Sequence, residues 1–501
     1  MRIAFIGAGS FVFTRRLVID LFTFDDLVCD ELVLMDIDQG RLETAAALVQ
    51  KVIAQQDSNM KLTLTTDRRA ALKGADYVVA MYEPNGFEAR KREVMTTIAH
   101  GVPMAVGDTL GPAGIFKGIR TATVAVDIAR DMSQLCSTAT LLMYANPLAI
   151  NCWAVKNAAD IRTIGLCHGL EYTKGMLGRL LGVPGKEMQV RGAGINHMTW
   201  LLDIQHNGRD LYPELWERAD EFHDHDPVRF EIMKATGYFA TESSYHSAEY
   251  VPYFRDRFKS LYIHDRTTPG CNQPMGNWCN QAGELNFIEP STGPIGRVEP
   301  AIPHAWDIYL YERHHHRHAE QQRQEMLTES TVKIERSVEY GMRIIHSEMT
   351  GHPRTLSLNV PNDGYISNLP EDAVVELPVQ VGSDGLVPAV IGELPEPCAS
   401  LCRRNIEVQR LVVQGVLNKD PHAIFNALLL DPLTGACLDL PGIRRLFNDL
   451  IDVGTGALPN WMAGGKTSAR VASFGIKATS PASDRPLRHV EQPEITAVVK
   501  P

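Results

Sequence analysis

No stretch of the sequence approaches about 18 consecutive uncharged apolar residues, which excludes a membrane-spanning helix. Positive charge is in deficit: 49 Lys and Arg stand against 60 Asp and Glu, a formal net charge of −11. That balance argues against a nucleic-acid surface and suits an enzyme acting on small molecules. Paired cysteines are lacking too. The 9 cysteines are an odd number, scattered without paired spacing, so reduced thiols in a cytoplasm are expected. The N-terminus is expected to enter a strand directly, without a basic leader, apolar segment and cleavage site, and no internal repeat is seen. What remains is ordinary in composition, 44% apolar and 22% charged, over 501 residues. That length accommodates two domains and a large core.

From Arg2 to Gly7 the chain reads as a buried strand, then a glycine-rich turn, then an amphipathic helix. Gly7 and Gly9 match the first two glycines of a dinucleotide fingerprint; Val12 stands at the third. The first glycine permits the tight turn and the second lets backbone approach a pyrophosphate seated on the helix N-terminus, which Ser10 opens. A second strand, Glu31–Met35, ends in Asp36, placed to accept hydrogen bonds from an adenosine ribose and so to favour NAD over NADP. Asn85, in the turn after a third strand at Ala75–Met81, completes the expected cofactor-binding set of Gly7, Gly9, Ser10, Asp36 and Asn85. A short strand at Met104–Gly107 is expected to lead into Asp108, then a helix to about Met132. Further strands at Thr140–Tyr144 and Ile161–Leu166 lead into Asn146 and into Cys167-His168. Strands alternating with helices specify a doubly wound, Rossmann-type parallel sheet with its ligands beyond the carboxyl ends of the strands.

Asp108, Asn146, Cys167 and His168 all follow such ends. Between Ile161 and Thr199 two polar constellations, Leu166-Cys167-His168-Gly169 and Gly194-Ile195-Asn196-His197-Met198, flank a helix and a short polar strand. Cys167 and His197 are read as ligands of one metal ion. Beyond Arg191 longer helices appear, with a loop-rich stretch at 267–303, short strands around 356–379 and a helical block from Cys398 to about Val453. Cys398 and Cys402 read as core. Of the histidines at 314–318 only His314 and His318 share a helical face, and a solvated polar helix is favoured there over a second metal site. Residues 1–190 are expected to form the NAD-binding domain and 191–460 a mixed α+β catalytic and substrate domain. Residues 461–501 are expected to be a flexible tail.

The pieces FIGAGS, LMDID, GDTLGPAGI, YANPLAIN, GLCHG, GINHM, GYFATESSYHSAEY and NDGYISNLP occur in order from residue 4 to about 370. With them the chain resembles glycoside hydrolase family 4, the NAD- and metal-dependent glycosidases, and within it the α-galactosidases. This family stands outside two-carboxylate glycoside hydrolysis. The resemblance implies hydride removal from sugar C3, proton removal from C2, and elimination of the C1 substituent before water and hydride return. It implies NAD, a divalent metal such as Mn²⁺ held by Cys167 and His197, and His168 as the acid for the leaving group. Asp108 would touch the sugar or metal-bound water, and Asn146 and Asn196 would contact the sugar. The C2 base would be a tyrosine, with Tyr250 preferred and Tyr245 and His246 left open. A cytoplasmic homo-oligomer, dimer or tetramer, acting on a small carbohydrate is expected.

Gly169 departs from the serine usual in the α-galactosidases. It leaves open an α-galacturonidase or α-glucuronidase, with room for a C6 carboxylate, and an α-glucosidase is a further alternative. Outside the family, a hydroxy-acid dehydrogenase would need no metal and would release NADH, and an NAD-sensing module would leave GDTLGP and GINHM unexplained. Segment 255–310 and the tail match no part of the resemblance.

Overall fold

Short apolar runs build the first strands. β1 (Arg2–Ile6) and β2 (Glu31–Met35) bury every residue after the first, the condition of a strand covered on both faces of a parallel sheet. The computed structural model describes residues 1–104, 106–223, 226–254, 321 and 323–467. Within them β3 (Lys61–Thr65), β4 (Tyr77–Ala80), β5 (Thr140–Met143) and β6 (Thr163–Gly165) complete a parallel run in the order β3-β2-β1-β4-β5-β6. This is the doubly wound order, whose ligand crevice opens where the order reverses, beside β1 and β4.

Two strand expectations are corrected. The third strand in chain order is Lys61–Thr65, not Ala75–Met81. Its residues lie at the sheet edge, none of them fully buried, so KLTLT never shows the continuous apolar run of a central strand. The described residues of Met104–Gly107 form no strand. The backbone N–H groups of Val106 and Gly107 donate to the carboxylate of Glu249 instead of a ladder partner, and Gly107 has φ +59.

The second half extends the same sheet. β7 (Gln189–Ile195) and β8 (Met198–His206) form a hairpin, with β9 (Arg209–Asp210) beyond it. β10 (Arg354–Pro361), β11 (Val374–Gly382) and β12 (Gly385–Pro388) come later in the chain but lie between β6 and β7 or against β11. The order runs on as β6-β10-β11-β7-β8-β9, every added pair antiparallel. Among the described residues all twelve strands thus share one sheet, and residues Met1–Thr467 form one compact unit. A large apolar core runs from Ile3 to Met462. A smaller one, including Leu177, Leu201, Phe230 and Phe239, holds the helix Gly169–Leu181 against β8.

The expected helical block is four helices, Glu396–Asn418, Pro421–Leu430, Pro432–Cys437 and Leu440–Val453. Cys398 and Cys402 are buried in it, and Cys402 Sγ accepts from Trp200 Nε1 at 3.3 Å. Of the stretch expected to be tail, Met462 is buried and Thr467 N donates to Asn448 Oδ1 at 3.0 Å. Residues 468–501, the segment 255–310 and the histidines at 314–318 lie outside the described residues. No helix among the described residues is long and apolar enough to cross a membrane.

Candidate functional site

The chain leaves β1 through Gly7, whose φ is +87. A Cβ there would stand 2.9 Å from Met81 O and Tyr82 Cα, so both space and conformation demand glycine. The N–H groups of Gly7 and Ala8 share Met35 O at 2.9 Å each, binding the turn to the end of β2. Gly9 N donates to Asp36 Oδ2 at 2.8 Å, and a Cβ on Gly9 would lie 2.5 Å from that oxygen. Ser10 caps the helix Phe11–Leu21 without a side-chain cap bond, which leaves the helix N-terminus to an anion. Asn85, φ +61, heads the helix Gly86–Ala99 beyond β4, the strand next to β1. A dinucleotide fits this corner: a glycine turn, an uncapped helix start and a carboxylate at the end of β2.

Farther along the same sheet edge, Cys167 follows β6 and His168 heads the helix Gly169–Leu181. His197 sits at the two-residue turn of the β7–β8 hairpin with φ +64, a conformation that favours few side chains. Its ring orientation is determined by a chain of hydrogen bonds. Thr109 Oγ1 donates its one proton to Asp108 Oδ1 at 2.7 Å, so at 3.0 Å from His197 Nδ1 it must accept. Tyr250 Oη lies 3.3 Å from the same nitrogen. The proton of the neutral ring is therefore on Nδ1, and burial, the largest influence, lowers the pKa of His197 and keeps the ring neutral. Nε2 carries the lone pair.

That lone pair faces a residue to which the sequence reading gave no role. Glu242 Oε1 is 3.8 Å from His197 Nε2 and 3.4 Å from Cys167 Sγ. The three donor atoms lie within 4.8 Å of one another. Burial raises the Cys167 thiol well above its ordinary value and Glu242 adds to this, so without a cation it is a thiol donating to Glu242. A cation replaces such a proton. The donor set of sulfur, imidazole nitrogen and carboxylate oxygen fits a divalent first-row ion. The volume opened by Gly169 is occupied by this carboxylate: a Cβ there would overlap Glu242 Oε1 and lie 2.7 Å from its Cδ.

The other expected residues gather around this centre. Asn146 Nδ2 donates to Asp108 Oδ2 at 3.1 Å, and His246 Nε2 stands 3.7 Å from Asp108 Oδ1. Burial opposes both charges, but the pairing holds Asp108 well below the usual carboxylate range and raises His246 to about 9. His168 Nδ1 is 3.1 Å from Glu339 Oε1. Burial works against its proton, yet Glu339 raises its pKa on balance. Glu339 also escaped the sequence reading. Tyr250 is 1% exposed, and burial foremost pushes its phenol well above the ordinary value. The side chain of Tyr245 lies outside the described ones.

Asn196 stands apart from the expected sugar contacts. It is 1% exposed and its Nδ2 donates to Glu376 Oε2 at 3.5 Å, in the sheet. Glu376 also accepts from Ser357 Oγ at 3.0 Å and Asn359 Nδ2 at 3.4 Å, while burial raises it to about 7. A carboxyl raised on folding costs stability once pH passes its unfolded value of 4.5, and the cost is complete above about 7. In metal-free protein, Glu376→Gln should therefore match the wild type near pH 4 and exceed it by on the order of 2–3 kcal/mol above pH 7. Thermal midpoints of both proteins across that range test this. A difference independent of pH would show that Glu376 is not protonated by folding.

Comparison with known proteins adds an independent line. The family model for family 4 glycosyl hydrolases matches residues 2–183, and that for their C-terminal domain matches residues 192–434. The chain is 33% identical over 477 residues to an alpha-galactosidase of Bacillus subtilis (strain 168), covering 92% of this chain and 99% of the relative. It is 29% identical to an alpha-galactosidase of Rhizobium meliloti (strain 1021), covering 98% and 96%. In fold it resembles a 6-phospho-alpha-glucosidase from gut microorganisms solved in complex with NAD and Mn²⁺. That likeness has a TM-score of 0.70 at 18% identity, over 91% of this chain and 99% of that one.

Proposed function

The chain belongs to glycosyl hydrolase family 4, and from that premise we propose that it hydrolyses terminal α-galactosides using NAD and a divalent cation such as Mn²⁺. The observation that carries the reading is the convergence of Cys167 Sγ, His197 Nε2 and Glu242 Oε1 on the sheet edge that also bears the Gly7–Gly9 turn. The alpha-galactosidase relatives support the sugar, and the NAD and Mn²⁺ of the solved neighbour support the cofactors.

Cys167 and His197 would hold the cation, with Gly7, Gly9, Ser10, Asp36 and Asn85 around the dinucleotide. When bound, these groups would supply hydride acceptance at sugar C3 and Lewis acidity at O2 and O3. His168, kept protonated by Glu339 at Nδ1, delivers its Nε2 proton to the leaving oxygen. Tyr250 takes the proton from C2 as its phenolate; its own proton must leave first, which burial opposes and an Nδ1–H donor from His197, 3.3 Å away, favours. Asp108 and Asn146, joined to each other, orient sugar hydroxyls.

Gly169 supports a neutral hexoside over a uronide, since a substrate carboxylate in that volume would meet Glu242 rather than a cation. Among the described residues the cysteines form no disulfide, which suits the cytoplasm proposed for it, as a dimer or tetramer. The test is a panel of nitrophenyl α-galactoside, α-glucoside, α-galacturonide and α-glucuronide, with and without NAD⁺ and Mn²⁺. Turnover of the galactoside alone or foremost, dependent on both additions, is expected. Preferred turnover of a uronide would overturn the sugar assignment. Net NADH formation without hydrolysis would point to a dehydrogenase.

A further inference from the structure

We propose that Glu242 is a third protein ligand of the divalent cation, and that Gly169 is glycine because this carboxylate must pass over it. The inference rests on the metal-dependent reading of the site and extends it to a residue that the Cys167–His197 pair does not include.

Geometry is the first support. Donors sharing one ion, with bonds of about 2.0–2.3 Å, stand about 3–4.5 Å apart. Glu242 Oε1 lies 3.4 Å from Cys167 Sγ and 3.8 Å from His197 Nε2. The second support is the donor set: a thiol sulfur, an imidazole nitrogen and a carboxylate oxygen all lie within 4.8 Å of one another.

The backbone points the same way. Glu242 has φ +75, in the left-handed region that a glutamate rarely adopts, and is 9% exposed. Its neighbours hold it there. Thr241 N donates to Thr199 O at 2.8 Å, while Thr199 N donates to Thr241 Oγ1 at 3.1 Å. On the other side Ser243 caps the helix Ser244–Tyr250, accepting from His246 N. Strain maintained from both sides marks a functional position more often than a structural one. Any side chain on Gly169 would overlap the carboxylate, so the two residues act as a pair.

A chemical consequence follows. Thiolate and imidazole alone favour soft ions, and a carboxylate oxygen shifts preference toward harder ones such as Mn²⁺. Thiolate plus carboxylate also neutralise a dication, leaving a neutral centre for a neutral sugar diol.

The experiment is an equilibrium Mn²⁺ titration of the full chain, following free Mn²⁺ by its electron paramagnetic resonance signal. Wild type, Glu242→Gln, Gly169→Ala, the double variant and Cys167→Ser are compared, with NAD⁺ affinity and thermal midpoint as controls of folding. Glu242→Gln and Gly169→Ala should each weaken Mn²⁺ by on the order of 10- to 100-fold, and the double variant no more than either alone. Cd²⁺ affinity should fall less. Folded Glu242→Gln that binds Mn²⁺ like the wild type would overturn the proposal. If Glu242→Gln does not fold, unchanged Mn²⁺ affinity in Gly169→Ala overturns it instead. A different result, no Mn²⁺ binding by the wild type itself, would sink the metal-dependent reading, so the two failures are distinguishable.

Discussion

Cys167→Ser and His197→Ala are each expected to lower glycoside turnover by about 10³-fold or more, while NAD⁺ affinity changes little. A Lewis acid across two sugar oxygens is worth several kcal/mol of transition-state stabilisation, and each 1.4 kcal/mol is about tenfold in rate. Serine keeps the size of the thiol but is a poor ligand for the same ion. Alanine at 197 removes the imidazole nitrogen that lies 3.8 Å from Glu242 Oε1. The dinucleotide corner is built from other residues, around Gly7, Gly9 and Asp36, so nucleotide binding serves as the internal control. Chelation of the wild type should reproduce the loss, and added Mn²⁺ should reverse it in the wild type only. Full turnover after exhaustive chelation, or a Cys167→Ser enzyme as active as its parent, would remove the metal from the reaction.

Hydrolysis in D₂O should place deuterium at C2 of the released sugar. Removing and replacing the C2 proton during each turnover exchanges it with solvent, whereas direct displacement at C1, as with two carboxylates, leaves C2 untouched. The motivating observation is the pairing of a dinucleotide turn with a thiol–imidazole–carboxylate cluster on one sheet edge, a combination that direct displacement does not use. Substrates deuterated at C2 or C3 should also turn over more slowly if either transfer limits the rate. Mass spectrometry of the product decides the matter. Complete hydrolysis with no deuterium at C2 ends the elimination route.

The first βαβ unit was legible in the sequence because its signals are local. A buried five-residue run, two glycines and a carboxylate four residues beyond Leu32 all act within a few positions of one another. The polar residues after Met143 and Gly165 were legible for the same reason: an apolar run that stops marks a strand end. The expectation failed where a residue's partner was remote. Met104–Gly107 has strand-like side chains, but Glu249 takes the N–H groups of Val106 and Gly107. Lys61–Thr65 is a strand because β2 pairs with it, not because its own pattern is apolar.

The sequence by itself determined the doubly wound half, the glycine turn, and the presence of Cys167 and His197 at strand or hairpin ends. Backbone preference and burial period are properties of neighbouring residues, and a chain read in order displays them. Only the tertiary structure decided what surrounds these two side chains. Insertion of β10 and β11 between β6 and β7 brings Glu376 to Asn196 across 180 positions. Glu339 reaches His168 across 171 positions, and Glu242 reaches Cys167 across 75. In sequence these are unremarkable acids. Their protonation and their work depend on which charges and donors face them in a water-poor interior, and that is set by sheet order and packing, not by the residues beside them in the chain.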